Sequence, residues 1–120
     1  MDANLNLITP EQRQELLANG RQSQSRNIDP FPVAKIFVPG THRTWLLTEL
    51  DPNNEDIAFG LADLGQGEPE LGFFQISQIE EDRSPLGLPA ERDRFFRASA
   101  PLSRYADRAI EFGAIDTGTL

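Results

Sequence analysis

The sequence is poor in the residues that carry metal and covalent chemistry. It has no cysteine and one histidine among 120 residues, which excludes disulfides, thiolate metal sites and cysteine nucleophiles. Lys35 is the only lysine, and the other basic residues are arginines. No apolar run approaches the ~20 residues that a membrane helix needs. The first twelve residues lack the basic and apolar regions of a signal peptide, so we expect a soluble cytoplasmic protein.

Positive charge is also missing from the middle third of the chain. Between Thr44 and Asp82 there is no lysine or arginine. The same stretch contains ten carboxylates, which are Glu49, Asp51, Glu55, Asp56, Asp63, Glu68, Glu70, Glu80, Glu81 and Asp82. The flanking segments each sum to about +1, so the net charge of −8 comes from this middle third. Such a field favours a basic partner or a cation and disfavours bare nucleic acid.

A helix is predicted near each end of the chain. Thr9 is a suitable N-cap with Pro10 at the first helical position, and Asn19-Gly20 is expected to end this first helix. The polar residues 21–29 are predicted to form a flexible linker. The second helix opens at Pro101 and stops at Gly113. Residues 114–120 are predicted to be a polar tail.

Strand-like runs fill the region between these helices. They are Val33 to Val38, Thr44 to Leu50, Ile57 to Leu64 and Leu71 to Ile76. Their short connections favour an antiparallel meander. A brief helical turn is predicted from Ser77, as its cap, through Asp82, whereas Ala90 to Arg97 fits either a helix end or a fifth strand. We therefore predict one α+β domain over residues 1–120, an antiparallel four- or five-stranded curved sheet with an N-terminal and a C-terminal helix.

Alternation along the strands predicts which residues share a face. In the second strand it places Trp45, Leu47 and Glu49 on one face, and Leu46, Thr48 and Leu50 on the other. In the third strand it opposes the set Ile57, Phe59, Leu61 and Asp63 to the set Ala58, Gly60, Ala62 and Leu64. The aromatic residues are predicted to form the core, and they are Trp45, Phe59, Phe73, Phe74, Phe95, Phe96 and Tyr105.

No motif predicts a catalytic residue, a cofactor or a metal. His42 lies in a predicted hairpin turn without a partner that would orient it as a base. The turn Gly65-Gln66-Gly67 lacks the Lys-Ser/Thr of a phosphate loop and is followed by carboxylates, so a hairpin turn explains it better. Oxygen ligands for Mg²⁺ or Ca²⁺ are available from Glu49, Asp51, Asp63, Glu68 and Glu70, although no calcium-loop spacing is present.

Arginines are numerous in the C-terminal third of the chain. They are interleaved with carboxylates such as Glu91, Asp93 and Asp107. We therefore expect them to pair internally with the acidic sheet rather than to bind nucleic acid.

Several segments carry a resemblance to a known family. They are Leu7 to Gly20, Pro30 to Val38, Thr44 to Pro52 (TWLLTELDP), Phe59 to Gly72 (FGLADLGQGEPELG), Leu86 to Asp93 and Pro101 to Ala106. Through them nearly the whole chain resembles the bacterial domain of unknown function twenty-nine fifty-eight. The resemblance implies a small protein encoded on plasmids, integrative elements or phage-like islands, near replication, transfer or anti-restriction genes. It implies no established activity and no catalytic residues to carry over.

Three functional hypotheses follow from these observations. The first is a non-enzymatic acidic interaction protein of a mobile element, in its sharpest form a DNA mimic that inhibits a host nuclease or restriction system. Its partner would be a basic protein, with no direct contact to nucleic acid or membrane, held by Glu49, Asp51, Asp63, Glu68, Glu70, Glu80 and Glu81. The second is a metal-dependent enzyme or accessory that uses Glu49, Asp51, Asp63 and Glu70. The third is an accessory module for plasmid replication or transfer, which binds a helicase or another DNA-processing protein.

Overall fold

Three helices and five strands make up residues 7–118, the part of the chain that the computed structural model describes. In chain order they are α1 (Pro10–Ser23), β1 (Ala34–Phe37), β2 (Thr44–Asp51), β3 (Asn54–Asp63), β4 (Glu70–Gln75), α2 (Ile76–Glu81), β5 (Glu91–Arg92) and α3 (Leu102–Phe112). Within this part, no helix has the length and apolar character to span a membrane. The ends of the chain, including the last two residues of the predicted tail, lie outside the described residues.

The strands form one antiparallel sheet in the order β4-β3-β2-β1-β5. The first four strands follow one another as a meander, and β5 returns to pair with the free side of β1, where Ile36 lies opposite Arg92. This confirms the predicted α+β class and the antiparallel sheet with a helix at each end. Because β5 has only two residues, most of the ambiguous segment 90–97 is loop.

Helix α1 begins as predicted but continues beyond the predicted stop. The Thr9 side chain accepts a hydrogen bond from the Gln12 amide at 3.0 Å, and the Gln12 side chain accepts one from the Thr9 amide, which completes the capping box. The helix runs through Gly20 to Ser23, so the predicted end at Gly20 is wrong. Gly20 instead serves close packing, since a Cβ there would lie 1.9 Å from the Leu50 carbonyl oxygen.

The sheet has an apolar cluster on each face. On one face, Leu16 of α1 and Ile79 of α2 pack with Leu47 and other strand residues. On the opposite face, Tyr105 of α3 packs with Leu61 and its neighbours. The helices therefore pack on both faces of the sheet, and the strand order leaves β4 at one edge of it.

A bulge in β2 reverses the predicted alternation. The register with β3 shifts between Leu47 and Glu49, so Thr48 is an extra residue on β2. Its hydroxyl donates to the Phe59 carbonyl at 3.3 Å. Leu50 consequently joins Leu47 in the cluster under α1, and Glu49 lies opposite Phe59 on the α3 face. The predicted faces of Leu50 and Glu49 are wrong for this reason.

Helix α2 follows β4 without a loop. Its N-cap is Gln75, so the prediction that Ser77 caps this turn is wrong. The amide and hydroxyl of Ser77 instead donate to the two carboxylate oxygens of Asp56, at 2.9 and 2.7 Å. One member of the acidic middle third is thus used to hold α2 against the start of β3.

The segments predicted to be a linker and a tail contact the folded body. Residues 21–23 belong to α1, and the Asp29 carboxylate accepts hydrogen bonds from the Ser103 amide and hydroxyl at the start of α3. After α3, the half-buried Ile115 packs against the cluster on the α3 face. Lys35 on β1 donates to the Thr117 hydroxyl at 2.9 Å. The description of residues 114–118 as a simple polar tail is therefore wrong.

Candidate functional site

Asp63 is a structural residue rather than a surface carboxylate. Only 2% of it is exposed. One carboxylate oxygen accepts the Gly65 amide at 2.8 Å, and the other accepts the Ile115 amide at 3.1 Å. The carboxylate thus ties the β3–β4 turn to the segment after α3. Alternation along β3 turns Asp63 inward on the same face as Leu61, so its carboxylate does not lie on the surface where the sequence analysis expected it to meet a partner.

Two further carboxylates of the acidic middle third are paired with arginines. Glu55 accepts a hydrogen bond from Arg13 Nε at 2.6 Å. Asp82 Oδ2 lies 2.9 Å from Arg43 Nε, in an ionic contact that is not aligned as a hydrogen bond. Both arginines precede the acidic stretch in the sequence. The prediction was that arginines of the C-terminal third would pair with these carboxylates.

Glu49 and Asp51 lie apart from Glu70 on the sheet. Glu49 is on the α3 face of the sheet. Glu70 pairs with Ala62 and lies with it on the opposite face, the one that α1 and α2 cover. The offset of two strands and three residues separates Glu49 from Glu70 by about 14 Å, beyond the Debye length of about 8 Å. Asp51 accepts the Asn53 amide at 2.8 Å in the β2–β3 turn. Neither residue adds to a cluster around Glu70.

The two glutamates of α2 point to different surroundings. Glu80 lines a hollow of about 340 Å³ together with Arg83, Arg92 and Arg94. Glu81 is exposed and lies one helical turn after Gln78, on the side of α2 that faces away from the buried Ile76 and Ile79. Of the two, Glu81 is therefore the one that adds an exposed carboxylate to the α2 surface next to β4.

A groove of about 380 Å³ runs along β4 and is the best candidate for a binding site. Each residue from Glu70 to Gln75 lines it, so the groove extends along the whole of β4. Gln78, Ile79 and Asp82 belong to its wall on α2. The other residues that line it are Trp45, Ala62, Leu64 and Glu68. The groove joins acidic and apolar side chains on one accessible surface, which we call the β4 groove, and α2, which forms its wall, also carries the exposed Glu81.

Three carboxylates at the β4 groove have no ion-pair partner among residues 7–118. They are Glu68, Glu70 and Glu81, all of them exposed. The seven residues predicted to bind a partner are thus divided between this groove, the β2–β3 end of the sheet, the arginine-lined hollow and the interior. The expectation that they share one outward side is wrong, because α2, the bulge and the inward turn of Asp63 separate them.

The exposed aromatic residues were not identified as functional from the sequence. Phe73 on β4 is 74% exposed and Phe95 is 90% exposed, so the prediction that both belong to the core is wrong. Trp45 and Tyr105 are buried as predicted. The adjacent pair Phe73-Phe74 could have indicated this exposure. Neighbouring residues of a strand point to opposite faces, so both rings are buried only if both faces of β4 are covered.

The described residues do not assemble the oxygen-ligand site of the second hypothesis. Among residues 7–118, no group of three or more histidine or acidic side chains is placed to hold a metal ion. Asp63 is interior, and Glu49 and Glu70 lie on opposite faces of the sheet. His42 is exposed in the loop between β1 and β2, as predicted.

A family model described as "Protein of unknown function (DUF2958)" matches residues 7–116. The chain belongs to the DUF2958 family. No curated protein and no solved structure matches it. The DUF2958 match spans every element from α1 to α3, so the β4 groove lies within the region that defines the family.

Proposed function

We propose that this DUF2958 protein is a non-enzymatic binding protein that holds a basic segment of a partner protein in the β4 groove. One observation carries the proposal: among residues 7–118, the surface at the groove combines a strand edge without a neighbour, exposed apolar side chains and three carboxylates without an ion-pair partner. The first feature offers backbone hydrogen bonds, the second contact area and the third a preference for positive charge.

Electrostatics support a basic partner. The net charge of −8 repels acidic proteins and nucleic acid and accelerates encounter with basic ones. The unpaired carboxylates at the groove are exposed to solvent, so their attraction to a partner is screened by salt. Binding should consequently weaken as ionic strength rises.

The mobile-element setting that the family resemblance implies limits the choice of partner proteins. We propose a cytoplasmic partner of a mobile genetic element, either a host nuclease or restriction protein or a DNA-processing protein of the element. In the first case, the groove would compete with DNA for the arginines of the defence protein. In the second, the protein would be an accessory of replication or transfer.

Affinity capture from the native host tests this proposal. The wild-type protein is compared with a groove variant, Glu68→Gln/Glu70→Gln/Glu81→Gln, and with a control variant, Glu11→Gln/Glu15→Gln/Glu111→Gln. The control removes the same charge from exposed positions on α1 and α3. Bound proteins are eluted with salt and identified.

We expect basic proteins to elute from the wild type and the control but not from the groove variant. Identification of the eluted proteins separates host defence proteins from element-encoded ones. Equal capture by both variants would refute a role for the β4 groove.

A further inference from the structure

Strand β4 forms an edge of the sheet with no neighbour on its outer side. Within residues 7–118 it pairs only with β3, in a regular register from Glu70 to Gln75. Alternate residues therefore direct their N–H and C=O groups toward the groove. The strand contains no proline or lysine, the residues that commonly protect such an edge. An edge of this kind can accept a further strand through main-chain hydrogen bonds.

The two faces of β4 differ in chemistry. Glu70 shares the face of its partner Ala62, on the side of α2. Leu71 and Phe73 point to the side of α3, where the Phe73 ring meets Phe59 edge-on with centroids 5.0 Å apart. An added strand would therefore meet acid on one face and exposed apolar groups on the other.

Both faces leave room for incoming side chains. On the α2 side, nothing lies within 4 Å of the position that a Cβ on Gly72 would take. On the α3 side, Phe59, Leu71 and Leu102 line part of a hollow of about 260 Å³. Asp29 and Glu49 also line this hollow, but the Asp29 carboxylate already accepts two hydrogen bonds from Ser103, and Glu49 belongs to β2, about 14 Å from an added strand. The side chains of β4 itself on this face, Leu71 and Phe73, are apolar.

We propose that the partner's basic segment adds to β4 as a further strand in which basic and apolar side chains alternate. This inference rests on the proposed function and specifies how the β4 groove recognises its ligand. Side chains on the α2 side are basic and meet Glu68, Glu70 and Glu81. Side chains on the α3 side are apolar and cover Leu71 and Phe73. Charge argues against a second copy as the occupant, because it would bring the same carboxylates and another net charge of −8.

Synthetic octapeptides test the inference on the full-length protein. The first alternates arginine and valine, and the second has the same composition in two blocks, arginines followed by valines. Two further peptides keep the alternation but carry N-methyl groups on all the arginine amides or on all the valine amides. In an added strand one of these amide sets faces β4 and the other faces solvent. Binding is measured by fluorescence anisotropy at low salt.

We expect the alternating peptide to bind at least about tenfold more tightly than the block peptide. One of the two methylated peptides should lose binding by at least about tenfold, and the other should keep it. If both unmethylated peptides bind equally and the groove variant loses both, strand addition is overturned while the proposed function stands. If the groove variant binds them as the wild type does, both proposals fail.

Two matched variants test the apolar side of the added strand. Phe73→Thr keeps a strand-forming residue at this position and should weaken binding of the alternating peptide by about tenfold. Phe95→Thr removes an even more exposed ring near the opposite edge and should leave binding unchanged. Equal effects of the two would contradict the proposal. Concentration-dependent dimerisation that Phe73→Thr abolishes would identify a second copy as the occupant and overturn it as well.

Discussion

Replacing Asp63 with asparagine should destabilise the fold strongly, because the carboxylate accepts two backbone amides in the interior. Asparagine has one acceptor oxygen, so its NH₂ group would face either the Gly65 or the Ile115 amide. A hydrogen bond to a charged group contributes about 1.5–3 kcal/mol, and an unsatisfied buried donor costs about 1–3 kcal/mol. Since these terms overlap, we expect a loss of about 2–4 kcal/mol, a large part of the roughly 5–15 kcal/mol that holds a typical domain folded.

Urea unfolding followed by Trp45 fluorescence measures this loss, since Trp45 is the only tryptophan and is buried. Glu68→Gln is the matched control: the same loss of a carboxylate at an exposed position should change stability by less than about 0.5 kcal/mol. If Asp63→Asn and Glu68→Gln unfold at the same urea concentration, the account of Asp63 as an interior tie is refuted. If Asp63→Asn folds normally but loses peptide binding, Asp63 would instead have to be assigned to the binding surface.

Two glycines give opposite predictions for stability. Gly20→Ala should destabilise the protein by about 1–3 kcal/mol, although alanine is the better helix former, because its Cβ would overlap the Leu50 carbonyl oxygen. A melting temperature equal to that of the wild type would contradict the close packing of α1 on β2. Gly72→Val should instead stabilise by about 0.5–1 kcal/mol, because the added side chain enters open space and removes a glycine from a strand interior. A lower melting temperature for this variant would show that the space beside β4 is not open.

Local sequence chemistry was sufficient to predict the elements and their order. The Thr9-Pro10 start of α1 and the end of α3 at Gly113 depend on neighbouring residues alone, and each is confirmed. The end of α1 was missed because Gly20 ordinarily stops a helix, whereas here its missing side chain lets α1 approach β2. Contacts between segments far apart in the sequence decide where such a helix ends, and the local residue pattern does not reveal those contacts.

The candidate site was predictable only in part for the same reason. The distribution of charge along the sequence predicted an acidic surface, and the residues predicted for it include Glu68, Glu70 and Glu81. The same distribution does not distinguish these exposed residues from Asp63, because the interior position of Asp63 depends on Ile115, which is far away in the sequence. The exposure of Phe73 follows from the position of β4 at the sheet edge, which the pairing of all five strands determines.

Residue-resolved amide exchange by NMR tests the central claim most directly. On addition of the alternating arginine-valine peptide, we predict slower exchange at alternate amides of Glu70–Gln75, with little change at the opposite edge, Glu91–Arg92. Protection at Glu91–Arg92, or saturating binding that leaves the amides of β4 unchanged, would contradict the claim that this edge of the sheet is where a basic partner binds.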